Sequence, residues 1–124
     1  MNKGKKISGG RYHKQRKKKL REIAGKPRIV KLGADKKKNI RMLGGDSKTV
    51  MLTAATVSII DKKKKKAKKV KIMNVLETPN NKFLAKQNII TKGTIIETEL
   101  GKARVTNRPS QQGSVQAVLI EEVK

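Results

Sequence analysis

"GTIIETELGKARVTNRP", residues 93–109, is the stretch whose reading decides the fold. Ala103 and Val105 alternate with Arg104 and Thr106, the period-two pattern of a strand with one dry face and one wet face. The segment reads as a β-hairpin turning around Leu100-Gly101, with Pro109 ending the second strand because it has no backbone donor to give. Glu97 and Glu99 lie two residues apart on the first strand, where they balance Lys102 and Arg104 across the hairpin.

The same short-range pattern extends in both directions. "RIVKLG" (28–33), "NIRML" (39–43), "TVMLTAATVSII" (49–60), "VKIMNVLE" (70–77) and "VQAVLIE" (115–121) are brief and rich in Val, Ile and Thr. Gly, Asn, Asp, Pro or Lys clusters separate them, so each reads as a strand. Short strands at this spacing predict an all-β fold: a small barrel-like domain or sandwich of mostly antiparallel strands. Closure is the preferred form, because it removes bare sheet edges. Only "NKFLAKQN" (81–88) reads as a helical turn. Tyr12 and Phe83 are the only aromatic residues, which leaves the core to Val, Ile, Leu, Met and Ala.

Charge divides the chain. Lys and Arg number 33 against nine Asp and Glu, a formal balance of +24 that opposes compaction unless a polyanion neutralises it. Residues 1–28 hold twelve basic side chains against Glu22 alone, a local +11. Residues 61–71 hold eight lysines against Asp61. Residues 93–124 sum to zero. The expected organisation is a basic extended N-terminal arm over 1–27 and one β-barrel-like domain over 28–124 with a lysine-rich loop at 61–69.

In the arm, Ile7, Leu20 and Ile23 are too sparse to bury anything, so residues 1–27 are expected to be disordered when free. "KKKLREIAGKP" (17–27) has the composition of a short helix, with Gly25 past its end and Pro27 as a stop. Lys62–Lys66 read as a hairpin tip.

Several function classes are excluded as expectations. No apolar run approaches the roughly 20 residues that span a bilayer, and the basic runs lack an interfacial apolar face. No secretory apolar region follows Met1, which predicts an intracellular protein. There is no cysteine and a single histidine, His13, so neither thiolate nor multi-histidine metal sites are expected. "MLGGDSKT" (42–49) fails the phosphate-loop spacing: Ser47 precedes Lys48 and the glycines are adjacent, so it reads as a bend between strands. No nucleophile–base constellation is evident. The reading is no enzyme, no cofactor, no small-molecule substrate and no membrane.

Nucleic acid is the partner that fits. Lys and Arg displace counterions from phosphates, and Ser8-Gly9-Gly10 interrupts the charge with backbone that can pass close to a nucleic acid. The shortage of aromatics argues against reading splayed bases and for binding folded RNA by charge and shape. The candidate contacts are Lys5, Lys6, Ser8, Gly9, Gly10, Arg11, His13, Lys14, Arg16, Lys17, Lys18, Lys19, Arg21 and Lys26 in the arm, and Arg28 just after it. Lys62, Lys63, Lys64, Lys65 and Lys66 form a second cationic contact, with Lys82, Lys86, Lys92, Arg104 and Arg108 as a flanking surface.

Three stretches resemble one family. "KKISGGRYHKQRKKKLREIAGKP" (5–27) is similar to its N-terminal basic run around Ser-Gly-Gly-Arg, and "RMLGGDSKTVMLTAATVSI" (41–59) to its Arg-Gly-Gly-Asn-x-Lys strand entry. "NIITKGTIIETELGKARVTNRPSQQGSVQAVLI" (88–120) looks like its C-terminal signature almost throughout. The family is the small-subunit ribosomal protein designated S8e, shared by archaea and eukaryotes. This chain departs from it at Met42-Leu43, where basic residues are usual, and at Asp46, where Asn is usual. It also lacks the tryptophan many relatives carry near the N-terminus. The missing eukaryotic insertion makes it look archaeal. The resemblance implies a barrel-like core on the small subunit, with basic extensions in the ribosomal RNA and neighbouring ribosomal proteins as partners. An assembly factor with the same barrel, bound to precursor particles only, is the alternative.

Overall fold

A computed structural model describes residues 4–13, 15–61 and 66–122. Among the described residues, eight strands and one short α-helix follow each other: β1 (Lys31–Leu32), β2 (Lys36–Arg41), β3 (Ser47–Ala54), β4 (Thr56–Asp61), β5 (Lys66–Glu77), α1 (Lys82–Lys86), β6 (Ile95–Thr98), β7 (Gly101–Val105) and β8 (Gln116–Glu122). The fold is all-β. Strands β4-β5-β6-β7-β8 close into a barrel, and β1-β3-β2 form a separate three-stranded sheet.

The barrel's closure follows from its strand count. Each of β4 to β8 runs antiparallel to the next, so in a five-strand meander the first and last strands point the same way. The seam is accordingly parallel, with Ser58, Ile59 and Ile60 opposite Gln116, Ala117 and Val118. The interior is filled by alternate side chains: Val57 and Ile59 of β4, Val70, Ile72 and Val75 of β5, Ile96 of β6, Ala103 and Val105 of β7, and Ala117 of β8. Val30, Met51, Ala54, Ile90 and Val115 extend this cluster beneath the second sheet. Small branched side chains suit so narrow a barrel.

The hairpin at 93–109 forms, with Ile96 opposite Ala103 and Glu97 opposite Lys102. Its tip is Glu99-Leu100 and not Leu100-Gly101: Thr98 and Gly101 pair, and the Thr98 hydroxyl donates to the Gly101 carbonyl at 2.8 Å. Gly101 at φ 125° suits a residue without a Cβ at this turn exit. Glu99 therefore sits in the turn, off the strand. The second strand ends at Val105, four residues before Pro109.

Other boundaries move for identifiable reasons. The apolar run 49–60 is two strands, broken at Ala55, where the chain passes from one sheet to the other. The Asp35 carboxylate holds this corner, accepting from the Ala55 amide at 2.6 Å, the Thr56 amide at 3.3 Å and the Thr56 hydroxyl at 2.8 Å. These contacts hold its pKa below the ordinary value, the Ala55 amide first among them. On β5, Met73 and Leu76 are extra residues against β6, and Asn74 caps the first bulge by accepting from the Val75 amide at 2.9 Å. The inward set therefore steps from Ile72 to Val75, three residues rather than two.

The segment 17–27 contains only a 3-10 turn at Leu20–Glu22 rather than a helix. Lys66 belongs to β5, opposite Asp61, and not to the hairpin tip. Among the described residues no helix is long and apolar enough to cross a membrane.

Candidate nucleic-acid interface

Every described residue from Gly4 to Ile29 is exposed, and none joins the core. The arm's local structure is self-contained. Around Ser8-Gly9 the chain makes a small hairpin: Lys6 donates to the Gly10 carbonyl at 2.7 Å, Gly9 donates to the Lys6 carbonyl at 2.9 Å, and Lys5 bridges Arg11. Gly9 has φ 79°, a left-handed conformation that suits glycine. Lys5, Lys6 and Arg11 thus flank a side-chain-poor tip, and the Lys6 ammonium lies 5.6 Å from the centre of the Tyr12 ring.

Further along, Arg16 grips Glu22 through two hydrogen bonds of 3.0 and 3.1 Å, and the Lys19 amide donates to the same carboxylate at 3.0 Å. The guanidinium, and next the amide, hold Glu22 below the usual carboxylate range. Arg16 is therefore engaged by the arm's one acid, while Lys17, Lys18, Lys19 and Arg21 remain directed to solvent. His13 is exposed. Lys14, Lys62, Lys63, Lys64 and Lys65 lie outside the described residues.

The arm meets the barrel at the loop after β7. The Arg28 guanidinium donates to the Ser110 carbonyl at 3.4 Å, and Gly25, Lys26, Pro27 and Arg28 face Ser110 and Gln111 across a cleft. Lys48 of β3 reaches Gln111 from the other sheet. Asn107 organises this loop from within: its amide donates to Gln112 Oε1 and to the Ser114 carbonyl, both at 2.7 Å, and it accepts from the Gln116 amide at 2.9 Å. Cations distant in sequence (Lys26, Arg28, Lys48 and Arg108) are thus carried on one framework.

A second group forms beside the hairpin. Gly93 donates to the Val105 carbonyl at 2.8 Å and Val105 donates back to the Thr94 carbonyl at 2.9 Å, and Lys92 and Arg104 line one groove there. Lys82 and Lys86, one helical turn apart on α1, are both exposed, and Asn81 caps that helix by accepting from the Phe83 amide at 2.9 Å.

Sequence reasoning missed further surface cations. Lys36, Lys37 and Lys38 are exposed on β2, an edge of the smaller sheet, where lysines discourage pairing with another strand. Lys69 and Lys71 stand on the outer barrel wall opposite Ser58 and Thr56. The run at 36–38 was visible as charge, but nothing in it announced a strand.

Comparison with known proteins places this arrangement. The family model described as Ribosomal protein S8e matches residues 1–120. Small ribosomal subunit protein eS8 of Ignicoccus hospitalis is 49% identical over 119 residues, covering 94% of this chain and 92% of that protein. The protein of the same name from Methanocorpusculum labreanum is 45% identical over 116 residues, covering 94% and 93%. That from Sulfolobus acidocaldarius is 43% identical over 122 residues, covering 98% and 95%. With the barrel, the signature hairpin and a match along nearly its whole length, the chain belongs to the ribosomal protein S8e family.

Proposed function

We propose that this chain is a structural, non-catalytic constituent of the small ribosomal subunit in the cytoplasm, where it binds and stabilises folded small-subunit ribosomal RNA beside neighbouring ribosomal proteins. The barrel over 28–124 docks as a preformed body, and residues 1–27 order on RNA by neutralising phosphates. The observation that carries this reading is the complete exposure of the arm's described cations: they contribute nothing to a core and have one acid among them. Lys5, Lys6, Arg11, Lys17, Lys18, Lys19, Arg21 and Lys26 are the principal phosphate contacts. Lys92, Arg104 and Arg108 extend the contact onto the barrel.

The test is the salt dependence of binding. Each phosphate neutralised steepens log K against log[salt] by about 0.9 on duplex and about 0.7 on single strands. Replacing Lys17, Lys18 and Lys19 by Gln in the full chain should flatten the slope for small-subunit RNA by about 2–3. An unchanged slope would remove the arm from the interface. Sedimentation with precursor particles and absence from salt-washed mature subunits would transfer the same binding to an assembly factor.

A further inference from the structure

We propose that the groove on the outer barrel wall between the Pro79-Asn80 turn and strands β7 and β8 receives a single unpaired nucleotide extruded from the RNA. This rests on the RNA-binding reading and makes it specific. The groove has a cavity volume of about 910 Å³, within the roughly 300–1,000 Å³ of sites that hold small molecules. Its lining divides into three chemistries.

The first is positive charge. Lys92 and Arg104 both line the groove, brought to it by the hydrogen bonds that tie the 93–94 segment to Val105. Neither meets a carboxylate among the described residues. The second is an apolar strip. Arg104 pairs in register with Val118, so both point outward, and the β7–β8 irregularity makes Ile120 an extra residue on β8. Ile120 is 53% exposed, an isoleucine held in water in the same groove lining as Arg104. The third is an amide: Asn80, exposed at the rim, makes no hydrogen bond among the described residues.

Cations alone would suit a phosphate backbone running past, as in the arm. An apolar strip beside them is wasted on phosphates, because its burial gains nothing from a charged, hydrated group. A nucleotide offers a phosphate, a flat ring and a hydrogen-bonding edge together. Unstacked bases in RNA are held in this way, stacked on an Arg plane or apolar wall and read on their edges by polar side chains. Gly93 shapes the floor of the groove: it sits at φ 88°, a left-handed conformation that suits glycine, within 4.0 Å of Arg104 Nη2 as measured from where a Cβ would stand. A peptide fits less well. Every barrel strand already has hydrogen-bonded neighbours on both sides, so no strand edge is free to pair with a partner's backbone.

Two full-length variants separate this idea from simple charge binding, with deproteinised small-subunit ribosomal RNA as the probe. Arg104→Lys keeps the charge and loses the plane; Ile120→Ser removes apolar surface and changes no charge. Each should weaken binding about 10-fold, as loss of one stacked base does, while the salt slope stays at its wild-type value. Wild-type affinity in both variants, with a steep salt slope, would overturn the groove and leave the RNA-binding reading standing. A flat salt slope in the wild-type protein would instead overturn that reading. A photoreactive side chain at position 120 in assembled subunits should crosslink to RNA at an unpaired nucleotide. A crosslink to another protein would assign the groove to a protein partner and refute the proposal.

Discussion

The hairpin of β6 and β7 and the arm before Arg28 are opposites built from the same backbone. In the hairpin, Ile96 and Ala103 are fully buried, every second side chain packs inward, and charge is balanced by Glu97 opposite Lys102. In the arm, every described side chain faces water and the hydrogen bonds join near neighbours only, as in Arg16 to Glu22. The shape of the hairpin is fixed by what the chain buries. The arm buries none of its described residues, and on the proposed function its final shape is set by the RNA that neutralises it. The difference is one of energetics before it is one of function: apolar burial offsets backbone ordering in one region and is missing in the other.

That contrast can be broken at several points. Ile96→Ala, at the centre of the barrel, should cost about 2–5 kcal/mol through lost burial and a cavity, measured as a lower denaturant midpoint. Asn107→Ala removes three hydrogen bonds from the loop that receives the arm and leaves the Gln116 amide without its acceptor. A loss of about 1–3 kcal/mol is expected, with the amide resonances of 107–116 shifting most. Asp35 at the corner between sheets should lend a smaller, pH-dependent contribution, reduced by solvent screening at this exposed position. Its pKa is lowered in the folded state, so its stabilisation is complete above the unfolded value and disappears as pH falls below about 4. Asp35→Ala should shrink the acid-side drop in melting temperature relative to wild type. The Lys17, Lys18 and Lys19 to Gln variant should leave the unfolding free energy from denaturant titration within about 0.5 kcal/mol, as exposed substitutions do. A large change there would mean that the arm is part of the fold.

Legibility in the sequence followed the range of the interactions responsible. The β6–β7 hairpin was readable because alternation at Ala103 and Val105 is local and its turn lies within it. The break at Ala55 was not, since Thr53-Ala54-Ala55-Thr56 contains no turn residue. The bend is imposed by Asp35, twenty residues away in sequence. Met73 and Leu76 lie in the run 70–77 that reads as one plain strand, but bulges in β5 turn them to solvent at 63% and 41% exposure. The arm's charge was legible, yet the engagement of Arg16 by Glu22 required a turn that no periodicity announced. The groove was hidden because Asn80, Lys92, Arg104 and Ile120 come from four segments that only barrel closure brings together.

The central claim, a self-sufficient barrel carrying an arm that takes form on RNA, is tested most directly by backbone 15N relaxation on the full chain, free and bound to small-subunit ribosomal RNA. The barrel strands should give order parameters near 0.85 in both states, while residues such as Gly9, Lys17 and Arg21 rise from below about 0.6 to the barrel's level on binding. Arm values already at the barrel's level in the free protein, or still low in the saturated complex, would contradict the account.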